Sequence, residues 1–277
     1  MRILNGCLLA CLMVFCSGTQ AQVKITPNVV YGHKDGMALI YDVFQPEQNA
    51  NGAAIVYMVS GGWFSRWTEP QNRLNSFASM LDEGYTVIAV HHGSAPRYKV
   101  PEARADVSRA LRHIRLHAEE YGFDPERIGV TGGSAGGHLS LMLGLDADAG
   151  MTDSDDPIMR AGNGVAAVVA YFPPVDLRSM TGPNDRFPAL DFPQEQAAGI
   201  SPLLHADEND PPVLLIHGDA DELVNISHSE RMYSALQEAG VVSEFITIEG
   251  GAHGFRGDDA QEAAMARLEW FNQHLLD

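Results

Sequence analysis

Gly132-Gly133-Ser134-Ala135-Gly136-Gly137 surrounds a single hydroxyl with residues that have almost no side chain. It follows an apolar run, Ile128 to Thr131, and leads into a helix-forming run, Ala135 to Leu145. A serine with such neighbours, between a strand and a helix, suits a tight turn that lifts its hydroxyl above a sheet edge, where larger side chains would clash. There the next backbone N–H, that of Ala135, points to where an attacked carbonyl oxygen would gather charge. A phosphate-binding loop would instead need G-x-G-x-x-G near the first strand or a G-K-[ST] ending, and neither is present. The chemistry expected of Ser134 is nucleophilic acyl transfer.

A serine hydroxyl attacks only when a base takes its proton. In a fold with this turn the chain order is serine, acid, histidine, which leaves His228, His253 and His274 as bases. His253 sits in the flexible stretch Gly250-Gly251-Ala252-His253-Gly254-Phe255, between a strand ending at Ile248 and the last helix. The other two fall within helices, so His253 is the expected base. Asp221 follows the strand Val213 to His217 and is the expected acid, holding the imidazole tautomer and stabilising the imidazolium. Asp219 is expected to serve the turn, and Asp176 is a rival acid. Val56 to Val59 runs into Ser60-Gly61-Gly62-Trp63, where paired glycines let backbone N–H groups approach a ligand. Gly62 and Trp63 are therefore the expected donors that complete an oxyanion hole with Ala135.

These residues need a scaffold. Candidate strands are Ala38 to Phe44, Ala53 to Val59, Thr86 to Val90, Arg127 to Thr131, Val165 to Tyr171, Val213 to His217 and Glu244 to Ile248. The later ones are nearly continuous apolar runs, as in strands covered on both faces. Pro101 opens a helix with Val107, Leu111, Ile114, Ala118 and Tyr121 on one face. Ser227 and Glu230 read as a capping box before Met232 and Leu236. A last helix from about Asp258 should bury Ala264, Leu268, Phe271 and Leu275. This alternation predicts an α/β fold with a mostly parallel, doubly wound sheet. No internal repeat or linker divides it, so residues 22–277 are expected to form one catalytic domain. Two stretches lack periodicity: acidic, glycine-rich 146–164, and proline-rich 176–211, expected to be a small lid-like insertion or substrate wall.

Hydrophobic residues make up 45% of the 277-residue chain, enough for one large core. A net charge of −18 without a basic run makes nucleic acid and anionic membrane surfaces poor partners. Arg2, the short apolar run Leu8 to Phe15 and Thr19-Gln20-Ala21 read as an export signal over 1–21, which predicts a secreted or periplasmic protein. A lipoprotein anchor at Cys11 or Cys16 is a weaker fit. Cys7, Cys11 and Cys16 all lie in that segment, so cleavage would leave no disulfide, zinc-cysteine site or cysteine nucleophile.

The stretch from Pro101 through Asp124-Pro125-Glu126-Arg127-Ile128 into Gly133-Ser134-Ala135-Gly136-Gly137-His138-Leu139 resembles the esterase/lipase branch of the α/β-hydrolases. Within it the chain is similar to bacterial feruloyl and acetyl-xylan esterase-like domains, hormone-sensitive-lipase-like esterases and kynurenine formamidases. His217-Gly218-Asp219-Ala220-Asp221 with Val224, His253-Gly254-Phe255, and Tyr171-Phe172-Pro173-Pro174-Val175-Asp176-Leu177 match motifs of that branch. The resemblance implies a serine carboxylic-ester hydrolase working through an acyl-enzyme without a cofactor, and carbohydrate esters as possible substrates. A peptidase resembling the catalytic domain of prolyl oligopeptidases is the alternative, and a non-enzymatic binding module would require a lost triad member. Two departures stand out. The histidine of the family's His-Gly-Gly motif is Ser60 here, and the usual Asp-Tyr-Arg is His91-His92-Gly93, expected to line the pocket or to bind a metal.

Overall fold

The apolar β-branched runs pair side by side in the computed structural model, which describes residues 22–276. The leader read over 1–21, with its three cysteines, lies outside the described residues. Strands β1 (Val23–Lys34), β2 (Met37–Pro46), β3 (Ala54–Met58), β4 (Thr86–Val90), β5 (Ile128–Gly133), β6 (Ala167–Tyr171), β7 (Val213–Gly218) and β8 (Ser243–Ile248) form one sheet. Its order is β1-β2-β4-β3-β5-β6-β7-β8. β2 runs antiparallel to both neighbours, and every pairing from β4 to β8 is parallel. The carboxyl ends of β3, β5, β6, β7 and β8 therefore share one rim, where open α/β sheets hold their ligands.

Alternate residues of the central strands feed two cores. Val56, Met58, Val130 and Ala170 face one apolar cluster, while Ile55, Val169, Leu214 and Ile216 face the other. Helix α1 (Leu74–Asp82) packs on the second face, and α2 (Val100–Leu116) and α3 (Ala135–Leu145) pack on the first. Helix α4 (Ser227–Ala239) adds Met232 and Leu236 to the first cluster, and α5 (Gly257–Leu275) closes the second with Trp270 and Phe271. Both faces being covered is why these strands read as unbroken apolar runs.

Several expectations needed correction. β1 was not anticipated: Pro27 and Gly32 interrupt its pattern, and its pairing shifts register between Thr26 and Val29. An edge strand tolerates both interruptions. The nine-residue α1 also escaped notice, its apolar face being only Phe77, Met80 and Leu81. Ser227 is not a cap: it is the first helical residue, and the Asn225 side chain accepts its N–H. Helix α2 stops at Leu116, although Ala118 and Tyr121 stay buried in the turns beyond. In α5 the buried face includes Ala263 and Arg267 in place of Ala264 and Leu268.

The two aperiodic stretches are held by specific contacts. In 146–164, Asp146, Asp148 and Asp156 form ion pairs with Arg104, Arg112 and Arg109 of α2. Residues 176–211 contain short 3-10 turns at Pro188–Leu190, Gln194–Gln196, Ala198–Ile200 and Pro202–Leu204. Leu177, Ala189, Leu190 and Ala197 of this stretch are buried in the first cluster, and Lys99 donates to the Pro188 carbonyl at 2.8 Å.

Candidate active site

Ser134 occupies the junction between β5 and α3, with φ 55° and ψ −119°. Glycine favours that backbone region, and for serine it stores roughly 1–3 kcal/mol of strain. The surroundings impose it. The Ser134 N–H donates to the Tyr171 carbonyl at 2.9 Å, and its carbonyl accepts from His138 N–H at 2.9 Å. A Cβ on Gly132 would lie 2.6 Å from the Gly136 carbonyl carbon, so the turn closes only with glycine there. Ala135 is the first residue of α3, so its N–H has no acceptor within the helix and can serve a ligand.

Asp221 and His253 meet across the ends of β7 and β8, with His253 Nδ1 2.7 Å from Asp221 Oδ2. The Asp221 side chain is fully buried and that of His253 is 21% exposed. The other Asp221 oxygen accepts the N–H groups of Leu223 at 2.8 Å and Val224 at 2.9 Å. Burial works to raise the Asp221 pKa, but the Val224 N–H, His253 and the Leu223 N–H outweigh it, and the carboxyl titrates below its ordinary value. The aspartate thus accepts the Nδ1 proton and leaves Nε2 as the basic nitrogen.

His217 and Phe172 were not assigned roles from sequence. His217 bridges the Ser229 hydroxyl and the Val224 carbonyl, both at 2.8 Å, and its Nε2 lies 3.3 Å from Asp221 Oδ2. It pins the acid loop to α4. The Phe172 ring lies 4.6 Å from that of His253 and packs against Gly133, one residue before the serine. One aromatic plate therefore touches both the imidazole and the turn that presents the hydroxyl. Asp219 does serve the turn: its carboxylate accepts the Gly250 N–H at 2.7 Å. Asp176 is committed elsewhere, to Arg178 at 2.8 Å and Arg231 at 2.7 Å. Its bond to Arg178, above all, holds its carboxyl well below the usual range.

Gly62 and Trp63 are the central residues of a tight turn, with φ 57° and 59°, closed by paired backbone hydrogen bonds between Gly61 and Phe64. Positive φ at both positions is the signature of a type I′ turn. The Trp63 indole N–H donates to His138 Nδ1 at 3.3 Å, and His138 Nε2 bonds the Ile200 carbonyl at 2.8 Å. Burial pushes His138 down to about 4, so it stays neutral and can accept and donate in this way. Phe187, from 176–211, packs directly over Gly62.

The departures at Ser60 and His91-His92 resolve together. His92 Nε2 accepts from the Ser60 hydroxyl at 2.9 Å, while its Nδ1 donates to the Gly93 carbonyl at 2.9 Å. Burial pushes His92 down to about 4. Thus an imidazole from the end of β4 braces the loop that lacks its own. Both histidines are buried, His91 being 6% and His92 4% exposed. His92 has both ring nitrogens engaged, and His91 Nε2 faces Asp42 at 3.6 Å.

Known proteins share this arrangement of chain. It is 26% identical over 252 residues to esterase LipQ of Mycobacterium tuberculosis, matching 83% of this chain and 57% of that one. The chain spans a little over half the length of the first curated relatives it matches. A truncated carbohydrate esterase from gut microbiota superposes with a TM-score of 0.76 and 28% identity, covering 92% of this chain and 99% of that one. Esterase 2 of Thermogutta terrifontis, in a form phosphorylated by paraoxon, superposes with a TM-score of 0.74 and 27% identity, covering 93% and 95%. The BD-FAE family profile matches residues 41–236. The chain therefore belongs to the BD-FAE family, within the esterase/lipase branch of the α/β-hydrolases.

Proposed function

We propose that this protein is a serine carboxylic-ester hydrolase in which Ser134 is the nucleophile, His253 the general base and acid, and Asp221 the acid that orients it. Ser134 Oγ attacks the ester carbonyl carbon as His253 Nε2 takes its proton. The charged oxygen is received by the N–H groups of Ala135, Gly62 and Trp63. The C–O bond breaks, His253 gives the proton to the departing alcohol, and an acyl-serine remains. Water then attacks that acyl group, His253 taking its proton and returning it to Ser134.

The carrying observation is the Asp221–His253 bond of 2.7 Å, whose imidazole rests on the same Phe172 ring that packs against the serine's turn. The carbohydrate esterase among the similar structures supports esters of carbohydrates as substrates. On this reading 22–277 is one catalytic domain, 176–211 forms a wall of the substrate site, and the leader over 1–21 directs export. A fluorophosphonate probe should label the wild-type protein and spare Ser134→Ala. Hydrolysis of p-nitrophenyl acetate should fall at least about 10³-fold in Ser134→Ala and in His253→Ala. Labelling that persists in Ser134→Ala would refute the assignment, and cleavage of a proline peptide in place of the ester would favour the peptidase reading.

A further inference from the structure

Resting on the ester-hydrolase reading, one cavity beside the site narrows the substrate class. It has a volume of about 430 Å³ and is lined by Tyr57, Ser60, Gly61, Phe64, Arg66 and Arg73, among others. Gly61 and Phe64 close the turn that carries Gly62 and Trp63, so the cavity opens beside the loop proposed to receive the ester oxygen. A space of that size accommodates one sugar ring or a short acyl chain.

Its charge is unusual for this molecule. The chain carries a net charge of −18, and the arginines at 104, 109, 112 and 115 of α2 all meet carboxylates. Arg66 and Arg73 enter no ion pair among the described residues, and Glu69, between them in sequence, engages neither. Arg66 is exposed, its guanidinium 5.6 Å from the centre of the Phe64 ring, which holds it against the turn. Arg73 is half-buried. Its Nη2 reaches the Arg66 carbonyl at 3.3 Å, and its buried Nε–H has no acceptor. No carboxylate of the described residues meets either guanidinium, and the carboxylate is the group whose two oxygens match such a fork.

We propose that this cavity is a subsite for a carboxylate carried by the substrate, held by Arg73 and Arg66 while the ester carbonyl reaches the Gly62–Trp63 turn. Half-esters of dicarboxylic acids and acylated uronic acids share this chemistry: an anionic group a few bonds from the scissile ester. The net charge of −18 disfavours long polyanions, whereas the two cations focus attraction on one local charge.

The test compares charged and neutral esters on the full chain. For the acyl side the pair is p-nitrophenyl hydrogen glutarate and p-nitrophenyl acetate, and for the alcohol side an acetylated glucuronic acid and an acetylated glucose. On at least one side the wild-type protein should prefer the charged member. That preference, as a ratio of kcat/KM values, should fall about tenfold in Arg73→Gln and about threefold in the surface variant Arg66→Gln, with added salt eroding it in the wild type. The side that responds identifies where the carboxylate is carried. Ratios unchanged in both variants on both sides, or losses shared equally by charged and neutral esters, overturn the proposal. Calorimetric binding of monomethyl glutarate to Ser134→Ala, weakened tenfold by adding Arg73→Gln, reports the subsite without turnover. If the wild type cleaves no ester yet this charge-dependent binding persists, the hydrolase reading fails and the subsite stands.

Discussion

Ser60 and His92 illustrate how a site is assembled from single side chains. The pair joins a donor and an acceptor 32 positions apart, and each is useful only because the other is there. Ser60→Ala would leave the buried Nε2 of His92 without its donor, a cost of about 1–3 kcal/mol. The expected outcome is a melting temperature lower by several degrees and a kcat reduced more than KM is changed, because the Gly61–Phe64 turn begins at the next residue. Ser60→Thr, which keeps the hydroxyl, should restore both; a Ser60→Ala protein that melts and turns over like the wild type would deny the brace any role. The strand-to-helix turn at Ser134 and the rim loops of Asp221 and His253 could be read from sequence because each lies in a short motif whose local geometry demands small or polar neighbours. Phe172, His138 and His92 could not. Their partners come from distant segments, 75 residues apart for Trp63 and His138, and only the strand order brings them together.

At the scale of elements, the parallel strands were legible because burial on both faces leaves a continuous apolar signature. Edge elements have no such signature, which is why β1, broken by Pro27, and the short α1 went unseen. The loops at the rim depend on close backbone contact. A Cβ on Gly218 would lie 2.0 Å from the Gly251 carbonyl oxygen, and that oxygen accepts the Ala220 N–H at 3.0 Å. Gly218→Ala must therefore separate the acid loop from the base loop. It should cost about 1–3 kcal/mol by overpacking and lower kcat together with stability. Urea denaturation alongside ester turnover would check this, and a variant fully active at wild-type stability would contradict the packing described.

Across the whole molecule, acidity acts through buried neutral rings. His92 and His138 are held near 4 by burial, whereas an unfolded histidine titrates at about 6.5. Between these values the unfolded chain binds more protons than the folded one. Stability is therefore complete above about pH 6.5 and declines as pH falls towards 4, by up to about 3 kcal/mol for each ring. The urea midpoint should drop across this window, and His138→Gln should flatten the slope. A midpoint that stays level from pH 6.5 to 4.5 would mean the two rings titrate as they do in the unfolded chain.

The three groups proposed for catalysis stand on successive parts of the sheet: the nucleophile after β5, the acid after β7, and the base in the loop between β8 and α5. Ser134 lies near the middle of the chain and His253 follows β8. A growing or half-folded polypeptide thus carries an exposed serine with nothing to activate it. On the proposed roles, such a chain gains its base only when the loop after β8 reaches the sheet rim beside Asp221.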